Sequence, residues 1–375
     1  MQLFKLLSAQ LSHIFYKQTK SVLHRCLHFY SAKRVSQTKM PAIRKDYDDS
    51  VHEELIKVGQ VKTHVLKVGQ LREQSGSQRV LMLIIPGNPG VPHYYEDFMQ
   101  ELYTHCEGQV PVWAIGHAGH LQTPGDSLSI QNICSTPEDM FGLEAQIKHK
   151  VDFIRENIPS DVLLVLIGHS IGCYMILNML DQLNRSQVLR CFMLFPTIER
   201  MATSPNGLRM TPVFRYLRWL VVFTAFILSF LPNVFKRHLY KWWYRHVDYP
   251  PCMEKAILET ITPWTVNYTT YLAKLEMNKV TSLQKELINK HSEKLSLYYG
   301  AVDHWAPVEY YYDLVSEFPK LDARLCNLNL KHAFVLDTQE GREMAKIVWL
   351  WAQSHHHMVL FEHNSEEEEA WVFDN

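Results

Sequence analysis

Short apolar runs rich in β-branched residues recur along the chain, separated by longer segments of mixed character. This alternation predicts strands joined by helices in a largely parallel sheet. Val80 to Ile85 reads as a buried strand ending at Pro86, Gly87, Asn88, Pro89 and Gly90, and Val110 to Ile115 as another, ending at Gly116 to His120. Leu143, Ile147, Val151 and Ile154 recur at helical spacing until Pro159 stops the pattern. The runs Asp161 to Ile167, Arg190 to Phe195, Leu295 to Tyr299 and Arg324 to Leu328 continue the strand series. Glu53 to Leu71 alternates polar and apolar residues, as a hairpin of edge strands does. No repeat of fixed period is present, which excludes solenoids and propellers.

The series is interrupted between Thr197 and Lys290, where the pattern predicts a long helical insertion. Its middle, Trp219 to Leu231, holds thirteen residues without a charge, bracketed by Pro212 and Pro232. That is short of the roughly 20 residues a helix needs to span a bilayer. Between Glu199 and Asp248 there are eight basic residues and no acid. Such a segment suits entry into one leaflet, with Trp219, Phe223, Phe226 and Phe230 among lipid and Arg and Lys reaching for phosphates. The competing reading is an apolar cap helix packed over a site, and the two are compatible.

Composition narrows the class without naming a chemistry. The 375 residues carry 38 basic against 39 acidic side chains and are 47% hydrophobic, a globular balance that argues against both disorder and a polyanionic partner such as nucleic acid. Seven scattered cysteines with no Cys-x-x-Cys pair suggest neither a disulfide framework nor a zinc cage, and favour a reducing compartment. Residues 1–45 hold nine basic residues and no carboxylate, leaving 29 basic against 39 acidic for the rest. This leader has the composition of a mitochondrial transit peptide or of an unstructured basic extension preceding an internal start at Met40. Glu366 to Glu369 follow the adjacent His355, His356 and His357 and read as a solvated tail; three successive histidines cannot all face one metal. The expected organisation is an α/β core over 46–196 and 291–354, a helical cap with a membrane-association segment over 197–290, an extension over 1–45 and a polar tail over 355–375.

The strand at 161 to 167 runs into Gly168, His169, Ser170, Ile171 and Gly172, and a helical segment from Cys173 to Leu183 follows. Gly-x-Ser-x-Gly between a strand and a helix is the setting of a nucleophile elbow, whose sharp turn strains the serine and leaves no room for a Cβ two residues away on either side. Ser170 is expected to stand clear of the sheet with its hydroxyl exposed. A serine hydroxyl needs a base, and the base needs an orienter. Asp303, after the strand ending at Tyr299, and His332, after the strand at 324 to 328, both fall at strand carboxyl ends, where ligands of open α/β sheets gather. His304, His169, His117 and His120 compete for the base role; His169 lies inside the elbow, pointing away from its neighbour's hydroxyl, and His117 and His120 precede the serine, against the expected order. The oxyanion requires two backbone donors. Ile171 is one candidate; Asn88 is the other, with Gly90 a substitute, because Pro86 and Pro89 have no N–H. His332 and Asp337 also match the His-x4-Asp pattern of acyltransferases, a weak signal, and Cys173 reads as a packing residue.

Taken together, these residues resemble the α/β-hydrolase superfamily. The stretches Ile85 to Gly90, His117 to His120, Leu166 to Gly172, Leu194 to Met201, Ser204 to Gly207, Tyr298 to Asp303 and His332 to Phe334 resemble the lipid droplet-associated hydrolase family more narrowly. The resemblance implies an intracellular protein of lipid droplets or the cytoplasmic face of the endoplasmic reticulum, with serine ester hydrolase chemistry and sterol esters as substrate class. It places Ser170, Asp303 and His332 at the family's triad positions and requires no metal or organic cofactor. The basic leader departs from the family pattern. A rival expectation is a droplet-coating or tethering protein with a vestigial site, toward which Pro86 points, since many superfamily relatives carry His there.

Overall fold

The strands predicted from apolar runs assemble into one sheet in the computed structural model, which describes residues 47–71, 79–122 and 138–355. The basic leader and the tail beyond His355 lie outside these residues. The strands are β1 (Val51–Val58), β2 (Val61–Val68), β3 (Val80–Ile85), β4 (Val112–Ile115), β5 (Leu163–His169), β6 (Val188–Leu194), β7 (Leu295–Gly300) and β8 (Asp322–Cys326). They lie in the order β1-β2-β4-β3-β5-β6-β7-β8. β1 and β2 form an antiparallel hairpin at one edge, β2 is antiparallel to β4, and the pairs from β4 across to β8 are parallel.

Central parallel strands covered on both faces need continuous apolar runs, as β3 and β5 have. Leu81, Leu83, Ile85, Leu164 and Leu166 point to one face, where they meet Ile147, Val151 and Ile154 of helix α1 (Leu143–Asn157) and Met175 and Ile176 of α2 (Ile171–Met179). Met82, Ile84, Val165 and Ile167 point to the other, against helices at Glu96–His105 and Thr338–Gln353. Each such buried aliphatic side chain contributes about 1.5–3 kcal/mol.

Two strands are displaced from their apolar runs. β4 begins at Val112 because Pro111 has no N–H for the ladder; its carbonyl instead accepts from Met82 N–H at 3.0 Å. β8 starts at Asp322 and stops at Cys326, ahead of the run that ends at Leu328. It is a half-exposed edge strand, so its burial leaves little hydrophobic signature, and Asp322 is held instead by Arg190 at 2.6 Å.

Every described helix or strand between β6 and β7 is helical. The main helices are α3 (Pro205–Tyr216), α4 (Arg218–Ser229), α5 (Asn233–Trp243), α6 (Met253–Thr260), α7 (Pro263–Lys279) and α8 (Lys285–His291). Local chemistry sets their starts. Ser204 accepts from Gly207 N–H ahead of Pro205, and Thr262 accepts from Thr265 N–H ahead of Pro263, each at 3.0 Å. Among the described residues no single helix is long and apolar enough to cross a membrane, and α3 and α4 are bent by 79°.

The junction of α2 with the sheet is tight. A Cβ on Gly172 would lie 2.2 Å from Ile85 O and 2.8 Å from Pro86 O, backbone atoms with no rotamer to change. Gly172→Ala is therefore expected to cost about 1–3 kcal/mol or more, read as a lower urea midpoint at unchanged slope.

Candidate active site

β5 delivers Ser170 at its carboxyl end. The residue has φ 55° and ψ −123°, a backbone state that costs on the order of 1–3 kcal/mol for a side-chain-bearing residue. Gly168 makes the turn possible, since a Cβ there would sit 3.0 Å from Cys173 Cα and N. Ser170 N–H is held by Leu194 O at 3.0 Å, and Ser170 O accepts from Cys173 N–H at 3.0 Å. The expectation of an exposed hydroxyl is corrected: Ser170 is 9% exposed. Thr197 Oγ1 at 3.4 Å and the His332 ring at 2.9 Å converge on its oxygen.

The predicted acid and base meet there. Asp303, in the loop after β7, is buried; its Oδ1 accepts from Trp305 N–H at 2.7 Å and its Oδ2 lies 2.6 Å from His332 Nδ1. His332, after β8, has Nε2 2.9 Å from Ser170 Oγ. The pairing suits the neutral imidazole that donates from Nδ1 to Asp303 and accepts at Nε2 from the serine.

The competing histidines have other places. His304 is at the surface. His117 and His120 are buried behind the turn after β3: His117 N–H donates to Gly90 O at 2.9 Å, and His120 Nδ1 bonds Pro89 O. His169 Nε2 donates to His332 O at 2.8 Å, and its Nδ1 accepts from the Tyr95 hydroxyl at 2.6 Å. Burial, reinforced by nearby His332, holds the His169 pKa down to about 3, so the ring is neutral, as that acceptor role requires. The Tyr95 oxygen accepts from Gly87 N–H at 2.8 Å.

These bonds sort the oxyanion candidates. In the turn from 86 to 90 the Gly87 amide is engaged by Tyr95 and the Gly90 amide by Gly87 O at 2.6 Å, which removes the substitute donor. The prolines have none to offer, leaving the amide of Asn88. Ile171 begins α2, where a helix N–H has no partner within the helix. The Asn88 side chain donates to Thr269 O and to Glu276 Oε1, each at 2.9 Å, and so ties the turn to α7.

Sequence reasoning did not single out Tyr95, Thr197, Thr269 or Glu276. Thr197 was the most accessible of them, lying just beyond β6 at the sheet edge where site residues collect. Cys173 is buried with Sγ 3.5 Å from Leu194 O, and burial pushes its thiol pKa well up, so it packs rather than reacts. Among the described residues no cluster of His, Cys, Asp and Glu has the arrangement of a metal site.

Helix α4 is two-faced. Val222 and Ala225 are buried on the side that packs along α7, whereas Trp219, Phe223, Phe226 and Phe230 are exposed, Phe223 by 54% and Phe226 by 47%. Phe235, Leu239 and Trp242 of α5 are exposed as well.

The sequence model of the family described as Lipid-droplet associated hydrolase matches residues 78–335. The chain is 40% identical over 310 residues to the lipid droplet-associated hydrolase of Gallus gallus, covering 80% of this chain and 94% of that one. The corresponding protein of Homo sapiens is 39% identical over 308 residues, with the same coverage. Among solved structures, a serine hydrolase from Cycloclasticus zankles superposes with a TM-score of 0.53 at 12% identity, over 82% of this chain and 99% of that one, a likeness of fold alone. Strand order and a serine elbow at the sheet's carboxyl edge agree with these matches, and the chain belongs to the lipid droplet-associated hydrolase family, with the α/β-hydrolase fold.

Proposed function

We propose that the protein cleaves carboxylic esters of lipids at the droplet surface, with Ser170 as nucleophile, His332 as base and Asp303 as orienter. The observation that carries this reading is His332 standing 2.9 Å from Ser170 Oγ and 2.6 Å from Asp303 Oδ2. Ser170 Oγ attacks the ester carbonyl while His332 Nε2 takes its proton, and Asp303 stabilises the resulting imidazolium. The amides of Ile171 and Asn88 receive the oxyanion; one such donor is worth about 2.7–4 kcal/mol to the transition state. As the tetrahedral adduct collapses, the C–O bond to the alcohol breaks and His332 returns the proton to the leaving oxygen. Water, deprotonated by the same imidazole, then releases the fatty acid and restores the serine. Sterol esters are the proposed substrate class and the cytoplasmic face of droplets and endoplasmic reticulum the proposed location; both rest on family likeness. Mitochondrial targeting falls on the leader, outside the described residues.

Transfer to an alcohol is disfavoured by the place of Asp337. Its carboxylate accepts from Gln339 N–H at 3.0 Å and Glu340 N–H at 3.2 Å, capping the last helix. A second reading, droplet tethering, draws on the exposed aromatic face of α4 and the surrounding cations. The two readings share that surface: α4 enters a monolayer while its buried side stays on the cap.

Wild-type protein is expected to react with a fluorophosphonate probe and Ser170→Ala to lose both labelling and ester hydrolysis; unlabelled, folded wild type would leave tethering as the function. Asp303→Asn should lower turnover by up to about 10⁴ through the wrong histidine tautomer, His332→Ala at least as much and His304→Ala far less. Asp337→Ala should cost about 1 kcal/mol in denaturant unfolding yet keep turnover near wild type. Phe223→Asp combined with Phe226→Asp should release the protein from droplets in flotation assays while hydrolysis of a short soluble ester persists. Undiminished flotation would rule out α4 as the anchor.

A further inference from the structure

Glu276 has no part in the mechanism above, yet it is the acidic side chain that grips the oxyanion turn. It lies on α7, is 4% exposed, and takes one Nδ2 hydrogen of Asn88 at 2.9 Å while Thr269 O takes the other at 2.9 Å. Both acceptors belong to the cap and the donor belongs to the core, 188 residues from Glu276 in sequence. A primary amide held at both hydrogens cannot rotate about its Cβ–Cγ bond without losing one of them, so the Asn88 main chain is fixed through its own side chain.

Several basic groups on the elements packed around α7 have partners of their own. Arg218 of α4 donates to Asn267 Oδ1 and lies over Tyr271, and Arg215 of α3 donates to Asn278 Oδ1 at 2.8 Å. On α1, Lys150 donates to Gly116 O at 2.9 Å and His149 is bonded to Thr63 at 2.7 Å. On α6, Lys255 pairs with Glu53 at 2.6 Å and Glu259 with His93 at 2.7 Å. Glu276 makes no ion pair among the described residues, and burial raises its pKa to about 8. At neutral pH it is therefore the uncharged acid, accepting through its carbonyl oxygen and adding no negative charge beside the place where an oxyanion forms.

We propose that Glu276 is a positioning residue: through the Asn88 side chain, the cap helix α7 sets the backbone amide that faces the forming oxyanion, an inference that rests on the serine-hydrolase reading. Two consequences separate this from mere packing. An oxyanion donor acts in the transition state, so losing its alignment lowers kcat and leaves KM nearly unchanged. Ionisation of Glu276 puts a carboxylate next to the oxyanion, so turnover falls as pH rises through about 8.

The test uses the full chain and p-nitrophenyl butyrate from pH 6 to 10, beside fluorophosphonate labelling. Glu276→Gln keeps the carbonyl acceptor and cannot ionise. It should match wild type at pH 7 within about twofold and lose the alkaline decline, the small margin reflecting retained alignment. Glu276→Ala and Asn88→Ala should each lower kcat by about ten- to a hundredfold at similar KM, and the double variant should fall no further than either alone. Should Glu276→Ala fail to fold, Glu276→Gln and Asn88→Ala decide. Full kcat in Asn88→Ala, an alkaline decline that persists in Glu276→Gln, or a loss confined to KM would each overturn the proposal. Wild-type protein that neither labels nor hydrolyses would overturn the serine-hydrolase reading and this inference with it.

Discussion

The neutral imidazole of His169 joins three loops that the chain supplies from separate strands. Its Nε2–H is fixed on His332 O, in the loop after β8. Its Nδ1 accepts from Tyr95, whose oxygen in turn accepts from Gly87 in the turn after β3. A charged ring would present a donor to the tyrosine oxygen, already a target of Gly87 N–H, and the tyrosine hydrogen would be left without an acceptor in a buried place. Burial, by suppressing that charge, keeps the donors and acceptors of the whole chain in one direction. The residue beside Ser170 thus registers the turn after β3 and the loop that carries His332 against the elbow between them.

Much of this arrangement was legible from residue order alone. The elbow announced itself because strain leaves a signature: glycine is required at 168 and 172, where a Cβ would strike backbone. The central strands were legible because burial on both faces demands unbroken apolar runs, and the Asp303 and His332 loops because such strands end at a common edge. What stayed hidden is polar and solitary. Tyr95, Thr269 and Glu276 sit in helical segments whose composition suggests only packing, and the site residues they hold, His169 and Asn88, lie 74 to 188 residues away in sequence. β8 was displaced in the reading for the converse reason, since a half-exposed edge strand needs little apolar pattern.

The insertion between β6 and β7 serves the core from inside and meets solvent with an unusual outside. Its inner helix α7 bonds Asn88 in the turn after β3, and α4 packs along α7 with Val222 and Ala225 buried. The aromatic side chains that face away from this contact are therefore one helix removed from the serine. A surface that captures them acts on the same layer of structure that bears on Asn88, without touching the sheet.

The chain position of that insertion has a bearing on biosynthesis. Residues 218–229 leave the ribosome more than a hundred residues ahead of His332, and before β7 and β8 exist to complete the sheet. Domains of this size consolidate gradually as they are made, and long-range parallel pairing is slow. A nascent chain of this protein thus displays the aromatic face of α4 while the segment that holds His332 is still being translated. Whatever shelters α4 at that stage, chaperone or lipid, does so on a molecule that cannot yet turn over substrate.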